Sequence, residues 1–346
     1  MIEIDIAWTT DFLVGLLNTP SPTGDTERAI QYVHRALSQF PLEITLNRKG
    51  ALVATWKGRA RNRPRALTAH VDTLGAMVQE IKSNGCLKLT QIGSYAWNSV
   101  EGEGCTVMTA NEQEWSGTLL PTKASVHVHG KGVRDLERIG ENMQVRLDAR
   151  AQSEDDVREL GIQVGDFVAF APRAKVTDTG FIRSRYLDDK AGVAVIVGAI
   201  KALADAGLTP AQRTTFHISN YEEVGHGAAT GIPADVHELL TVDMAAVGEG
   251  QQSDEFSVGI CVKDSGGPYD LGFRRQLVAL CEKASIPFKL DVYPYYGSDG
   301  EAAWRAGADL VVGLVGPGVD ASHGYERTHQ DSIEASARLV VEYLSS

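Results

Sequence analysis

Apolar residues recur at helical spacing in the first forty residues and again from about residue 182 onwards. An amphipathic first helix ends at a break over Pro20–Gly24, and Ala29, Val33 and Leu37 mark a second helix over about 26–40. Strand-like runs follow and end in RALTAH. Beyond residue 182, helical stretches alternate with apolar runs of strand length. This alternation predicts an α/β fold with a mostly parallel sheet covered by helices on both faces.

The middle of the chain has a different pattern, dominated by short runs typical of β-strands. MVQEIK and CLKLTQI flank Ser83-Asn84-Gly85, a hairpin signal, and CTVMTA with WSGTLLP predicts another strand pair. SVHVHG and MQVRLDA also have the alternation of strands, and His127 and His129 on the former are assigned a structural role. SEDDVREL alone indicates a helix. The sequence therefore predicts a β-rich domain over 74–176, inserted between two parts of an α/β domain, 1–73 and 177–346.

Composition and charge narrow the class of protein. Among 346 residues, 45 are acidic and 33 are basic, which gives a formal charge of −12 and speaks against nucleic acid as a partner. The apolar run Phe12–Leu17 is too short for a signal segment or a membrane span, so no membrane partner is expected. The scattered cysteines form no CxxC pair and favour a reducing, cytoplasmic location; they are Cys86, Cys105, Cys261 and Cys281.

Residue types that bind metals stand where predicted strands end, which is where α/β sheets bind ligands. His70 and Asp72 follow the run ALTA. Because residues i and i+2 of an extended segment face the same side, Asp72 can orient the His70 ring. The other candidates are Asp188 in LDDKAG, Glu222 and Glu223 in YEEVG, Asp243 at the end of ELLTVD, and His329 in RTHQ, with His323 as the competing histidine.

Each of these motifs alone has a simpler explanation, such as an acidic helix cap or a solvated acidic turn. Together they supply two histidines and three carboxylates, a set that suits Zn²⁺, with Co²⁺ or Mn²⁺ as alternatives. One bridging carboxylate, with a histidine and a further carboxylate for each cation, would hold two divalent ions that activate water for hydrolysis. Glu222 is the carboxylate left over, and it is therefore expected to be the general base.

The motifs AHVDTLG, YLDDKAG, YEEVGHGA, TVDMA and RTHQDSIE resemble those of the TET or deblocking aminopeptidases, metallopeptidase family forty-two, and the resemblance runs the length of the chain. It implies an aminopeptidase-like catalytic domain with an inserted PDZ-like domain for dimerisation and assembly. It also implies the removal of N-terminal residues from short peptides, and a homo-oligomer built from dimers, as large as a dodecamer. GEGQQSDEFSVGICVKDSGGPYD and GPGVDASHGYERTH are similar to a subgroup associated with an osmoprotectant system for N-acetylglutaminylglutamine amide.

Residue by residue, the resemblance implies two metal ions per subunit that share one carboxylate. Ser298 and Asp299, in place of the family's Gly-Thr-Asp segment, are expected near the substrate. Glu222 would transfer the proton and Asp72 would orient His70. The implied ligands are His70, Asp188 and Asp243 for one ion, and Asp188, Glu223 and His329 for the other.

Two alternatives remain open at the level of the sequence. The same ligands would serve another two-metal amidohydrolase, a carboxypeptidase or a deacylase acting on an acylated dipeptide amide. A non-catalytic scaffold that keeps a vestigial site is the second alternative. A glycosidase is disfavoured because a mechanism with paired carboxylates leaves His70 and His329 without a role.

Overall fold

The computed structural model describes residues 2–346, and the chain forms two compact units. The first unit joins the stretch that ends at Asp72 to Arg173–Ser346, and the second unit is Thr73–Pro172. The domain boundaries predicted from the sequence follow residues 73 and 176, and those of the two units follow residues 72 and 172.

Backbone hydrogen bonding defines eight α-helices and eighteen strands in the described residues. The helices are α1 (Ile6–Leu17), α2 (Glu27–Leu37), α3 (Val126–His129), α4 (Glu154–Glu159), α5 (Leu187–Asp205), α6 (Leu271–Ala284), α7 (Asp299–Arg305) and α8 (Gln330–Ser345). The strands are β1 (Glu43–Leu46), β2 (Leu52–Trp56), β3 (Ala60–His70), β4 (Gly75–Ile81), β5 (Leu87–Ile92), β6 (Gly104–Met108), β7 (Glu114–Pro121), β8 (Met143–Leu147), β9 (Phe167–Phe170), β10 (Lys175–Val176), β11 (Phe181–Ser184), β12 (Gln212–Ser219), β13 (Glu238–Val242), β14 (Ala245–Val247), β15 (Val258–Lys263), β16 (Phe288–Val292), β17 (Val311–Asp320) and β18 (Glu326–His329).

The first unit is an α/β structure around a mixed sheet whose centre is parallel, which confirms the predicted fold class. Strands β12, β3, β13 and β17 lie side by side and parallel, while β2 and β15 pair antiparallel with β12 and β17. The second half of β3 is buried throughout, as expected for a strand covered on both faces. Ser219 at the end of β12 stands opposite His70 at the end of β3. The ends of these strands therefore form one edge.

Helix α5 begins beside that edge. Its residues are almost all buried, because it contacts α1, α8 and β3. Lys190 in its first turn is buried and donates hydrogen bonds from Nζ to the carbonyl oxygens of Leu16 and Thr19. These bonds satisfy a buried ammonium group and tie the start of α5 to the end of α1.

The second unit is β-rich, as predicted, and strands β4–β9 close into a barrel in the order β4-β5-β8-β7-β6-β9. Helix α4 begins at Ser153, whose side chain forms a capping box with Asp156. The prediction of a strand at SVHVHG is wrong, because this segment forms the short helix α3. Val126 and Val128 are 52% and 73% exposed, so the alternation of valine and histidine there reflects no buried face. Across residues 2–346, every helix is too short or too polar to span a bilayer.

Candidate metal centre

Most of the predicted ligands converge at the edge formed by the strand ends. His70 is the last residue of β3, Asp243 follows β13, and Asp188 lies at the start of α5. Glu222 and Glu223 occupy a 3-10 turn just beyond β12. His70, Asp188 and Asp243 each offer a ligand atom, and these atoms all lie within 4.8 Å of one another. The parallel register thus assembles residues that are far apart in sequence.

Asp188 lies between two histidines. Its Oδ1 atom is 3.3 Å from His70 Nε2, and its Oδ2 atom is 3.4 Å from His323 Nε2. The same nitrogen of His323 is 3.7 Å from Glu223 Oε2. Each oxygen of Asp188 thus faces a different imidazole, which is the arrangement of a carboxylate that bridges two cations.

His329, predicted as a ligand, is not part of this cluster, and His323 stands in its place. His329 Nε2 donates to the carbonyl oxygen of Thr179 at 2.8 Å, and its Nδ1 accepts the backbone N–H of Asp331 at 3.1 Å. Both ring nitrogens are therefore committed, and the side chain caps α8. Its ring also packs against Phe181 and Phe256. The prediction for His329 is corrected for this reason.

Unsatisfied buried atoms test whether the cluster fits a cation. His70 Nδ1 must be the protonated nitrogen in its 3.0 Å bond to the carbonyl oxygen of Asp72, because a carbonyl only accepts. His70 Nε2 then faces carboxylates without a hydrogen-bond partner, and Glu223 Oε1 is likewise buried and unpaired. Buried polar atoms without partners are costly. A divalent cation beside each of these atoms would satisfy it, so the residues fit a metal site.

The carboxylates of the cluster are buried and lie close to other carboxylates. Burial, with the negative charge of Asp188 added to it, raises the pKa of Asp243 to about 7. Burial also raises the pKa of Glu222 well above its ordinary value, and the nearby carboxylates of Asp243, Asp299 and Glu223 add to the increase. Several buried carboxylates this close to one another repel unless positive charge lies between them.

A second layer of carboxylates positions the backbone around the cluster. Asp72 accepts the N–H groups of Glu222 and Glu223 at 3.1 and 3.2 Å, and the hydroxyl of Thr23 at 2.7 Å. Its Oδ1 atom is also 3.5 Å from His70 Nδ1. Asp72 therefore fixes the glutamate turn as well as the neighbourhood of His70.

Asp189 and Glu326 also accept backbone N–H groups next to the cluster. Asp189 accepts the N–H groups of His70 and Gly192 at 3.2 and 3.1 Å, so it links β3 to α5. Glu326 is buried and accepts the N–H groups of Asp188 and His323 at 3.1 and 3.0 Å. Glu326 was not among the residues predicted from the sequence, although it lies three residues beyond His323 in HGYE.

A cavity of about 510 Å³ opens from the carboxylates. Its lining residues are Asp188, Glu222, Glu223, Gly225, Asp243, Met244, Ala246, Gln251, Tyr293, Pro294, Tyr295, Tyr296, Gly297, Ser322 and His323. Ser298 and Asp299, predicted to bind substrate, lie behind this wall. Ser298 Oγ bonds to the hydroxyl of Tyr269, and Asp299 accepts from Ala228 N and Thr68 Oγ1. Both side chains are buried and support neighbouring loops.

Comparison with known proteins finds a family model and a relative that match most of the chain. The family model of the M42 glutamyl aminopeptidases matches residues 50–339. YhfE of Bacillus subtilis (strain 168), whose name gives aminopeptidase as an unproven activity, is 49% identical over 338 residues, which cover 98% of this chain and 97% of YhfE.

Two solved structures are similar over nearly the whole chain. A TET aminopeptidase from the marine sediment archaeon Thaumarchaeota archaeon SCGC AB-539-E09 has a TM-score of 0.88 at 19% identity, and the match covers 98% of this chain and 97% of that one. The TET1 peptidase of Pyrococcus horikoshii, described as assembling into a tetrahedron or a large octahedral shell, has a TM-score of 0.85 at 21% identity, with 98% and 99% covered.

Proposed function

The chain belongs to the M42 glutamyl aminopeptidase family and is a metal-dependent aminopeptidase, and from this premise we propose that it uses two divalent cations and Glu222 to remove N-terminal residues from short peptides. The proposal rests on one observation above all. Asp188 presents one oxygen to His70 and the other to His323, and Asp243 and Glu223 stand beside the two histidines.

In this proposal each cation has one histidine and two carboxylates. His70, Asp188 and Asp243 would hold the first ion, and Asp188, Glu223 and His323 would hold the second. We propose zinc, with cobalt or manganese as alternatives, because imidazole and carboxylate ligands suit all three. When bound, such cations act as Lewis acids on the scissile carbonyl and make water more acidic.

Glu222 is the carboxylate that this ligand set leaves free. It lines the cavity, and its Oε2 atom is 3.7 Å from His70 Nε2. As general base it takes a proton from the attacking water, and as general acid it returns the proton to the leaving amine. Burial raises the pKa of Glu222 well above its ordinary value, which makes this carboxylate a stronger base than an exposed glutamate. Asp72 keeps this residue in place through its backbone N–H.

Glu222→Gln tests the assignment of the base. The substitution keeps the size of the side chain and removes its basicity, so we expect kcat to fall by about 10²–10⁴-fold while the metal content stays that of the wild type. Activity should be measured on peptides with a free N-terminal amine and on N-acetylated equivalents. Wild-type kcat in the variant would exclude Glu222 as the base. Exclusive cleavage of the acetylated peptides would favour a deacylase.

His323→Ala and His329→Ala form a matched pair that tests the ligand set. His323→Ala is expected to lose about one of two metal equivalents and most of the activity, because it removes a ligand of the second ion. His329→Ala removes a helix cap, a hydrogen bond to Thr179 and ring contacts with Phe181 and Phe256, so it is expected to lower stability and to leave the metal content unchanged. Metal analysis of both variants shows which histidine is the ligand. Loss of metal in His329→Ala, with the metal content of His323→Ala unchanged, would reinstate His329.

We also propose a cytoplasmic homo-oligomer built from dimers and reaching a dodecamer. The support is the overall similarity to the TET1 peptidase, which assembles into closed shells. Light scattering on the purified full chain tests it, and a monomer at micromolar concentration would contradict it.

A further inference from the structure

We propose that the cavity beside the metal centre accepts peptides whose N-terminal side chain is apolar and excludes those that begin with an acidic residue. The inference rests on the proposed aminopeptidase centre, because the side chain of the first residue must then lie next to the scissile bond. It adds the class of substrate, and it follows from the hydrogen-bonding capacity and charge of the wall.

The wall away from the metal ligands is apolar and aromatic. Met244 and Ala246 form one part of it, and Tyr293, Pro294 and Tyr296 form another. Among the described residues that line the cavity, none is lysine or arginine. A glutamate or aspartate side chain would therefore find no fixed positive charge from the protein in this wall.

The tyrosine hydroxyls cannot replace that charge, because their hydrogens are already committed. Ser253 Oγ donates to Asp291 Oδ2 at 2.8 Å, so the 2.9 Å contact between Ser253 Oγ and the Tyr293 hydroxyl uses the hydrogen of Tyr293. Tyr296 donates its hydroxyl hydrogen to the carbonyl oxygen of Met244 at 2.8 Å.

Gln251 and Tyr295 do not supply a buried donor either. The amide orientation that satisfies Gln251 directs its nitrogen to Asp291 Oδ1 and to the carbonyl oxygen of Val292, which leaves an oxygen as its remaining polar atom. Tyr295 is 98% exposed and lies at the rim, where water competes for its hydroxyl. Apart from the proposed ligand His323, the remaining side-chain donor of the lining is the hydroxyl of Ser322. A neutral hydroxyl is a weaker partner for a carboxylate than a cation is.

The charge of the centre points the same way. Asp188, Glu222, Glu223 and Asp243 all face the cavity, so its ionisable side chains are mainly acidic. These side chains supply no fixed positive charge to attract an acidic side chain. A substrate carboxylate would lose its water without gaining a partner, whereas an apolar side chain gains from burial.

The test uses the metal-loaded full chain and a panel of p-nitroanilides of leucine, methionine, glutamine and glutamate. Glutamine has the shape of glutamate without its charge, so this pair isolates the effect of charge. We expect kcat/KM for leucine and methionine to exceed that for glutamate by at least about 100-fold, with glutamine between them. A kcat/KM for glutamate within threefold of that for leucine would overturn the inference and leave the aminopeptidase centre intact. If no derivative is cleaved with zinc, cobalt or manganese, the proposed function fails and the inference fails with it.

A pair of variants tests the cause. Ala246→Lys adds a cation to the wall, and Ala246→Met adds a side chain of similar length without charge. Ala246→Lys is expected to raise the ratio of glutamate to leucine cleavage about tenfold or more, and Ala246→Met to leave it near the wild-type value. An equal change in both variants would show that size, and not missing positive charge, controls the choice. The wild-type panel decides the matter on its own if either variant fails to fold.

Discussion

Glu326→Gln is expected to weaken metal binding although Glu326 is not itself a proposed ligand. The carboxylate accepts the N–H of Asp188 with Oε2 and the N–H of His323 with Oε1. It therefore sets the backbone position of the bridging carboxylate and of the second histidine together. Glutamine has one acceptor oxygen, so one of the two N–H groups must face an NH₂ group.

The magnitude follows from these two bonds. Leaving one of the two buried N–H groups without an acceptor costs about 1–3 kcal/mol. If that cost falls on the arrangement that binds metal, affinity drops by about 10–100-fold, since ~1.4 kcal/mol is tenfold. Loss of partners that orient metal ligands usually has an effect of this size.

The assay is a competition titration with a chromophoric chelator, run on the wild type, Glu326→Gln and Glu159→Gln. Glu159 is exposed on α4 of the second unit, so its substitution changes the charge in the same way without touching the centre. We expect the affinity of Glu326→Gln to fall as given above and its kcat to recover in part at saturating metal. An affinity within twofold of that of Glu159→Gln would refute the reasoning.

Three further predictions concern the framework of the centre. Asp72→Asn leaves one acceptor oxygen for the N–H groups of Glu222 and Glu223, so kcat should fall about 10–100-fold, and an unchanged kcat would contradict this. Gly192→Ala would drive a methyl group against Asp189 Oδ1 and the carbonyl oxygen of Val242, at a cost of about 1–3 kcal/mol or more, whereas Gly248→Ala meets no atom within 4 Å and should be neutral in the same thermal melt. Burial, together with a hydrogen bond to Asp264, raises the pKa of Glu301 from 4.5 to about 7. Because the folded pKa is the higher one, Glu301 contributes stability at low pH that is lost as pH rises through about 7; the stability of the wild type relative to Glu301→Gln should fall by about 1–2 kcal/mol between pH 5 and 8, and a flat difference would contradict this.

The fold was predictable from the sequence where periodicity and burial agree. The apolar runs of β3, β12 and β13 and the long apolar α5 all appear where alternation predicted them. SVHVHG shows the limit of that argument, because an alternating pattern does not establish which face is buried. Helix α3 keeps Val126 and Val128 exposed, and no local signal distinguished this from a strand.

The candidate site was predictable where a residue of metal-binding type stands at the end of a central strand. His70, Glu223 and Asp243 met that condition, and Asp188 was found from the paired carboxylates that open α5. The structure brings these four residues together. The histidine near the end of the chain did not meet that condition, because the sequence pattern does not show how far the strand before it extends. Strand β17 runs on to Asp320, and β18 then returns antiparallel, so His323 stands at the strand end while His329 is carried to the register of Phe181. That return depends on pairing with β11, a contact that no local pattern encodes.

All members of the proposed ligand set, Glu222 and the residues that hold them lie on one side of the domain division, in the stretch ending at Asp72 or after Arg173. The barrel is spliced into the chain directly behind Asp72, yet it contributes none of these groups. The two modules can therefore evolve at different rates: change in the barrel is limited by its folding and by any part it takes in assembly, while selection on the chemistry acts on the flanking segments. Relatives that diverge mainly within residues 73–172 should consequently retain the same catalytic activity, and swapping barrels between them is a practical route to chimeric enzymes.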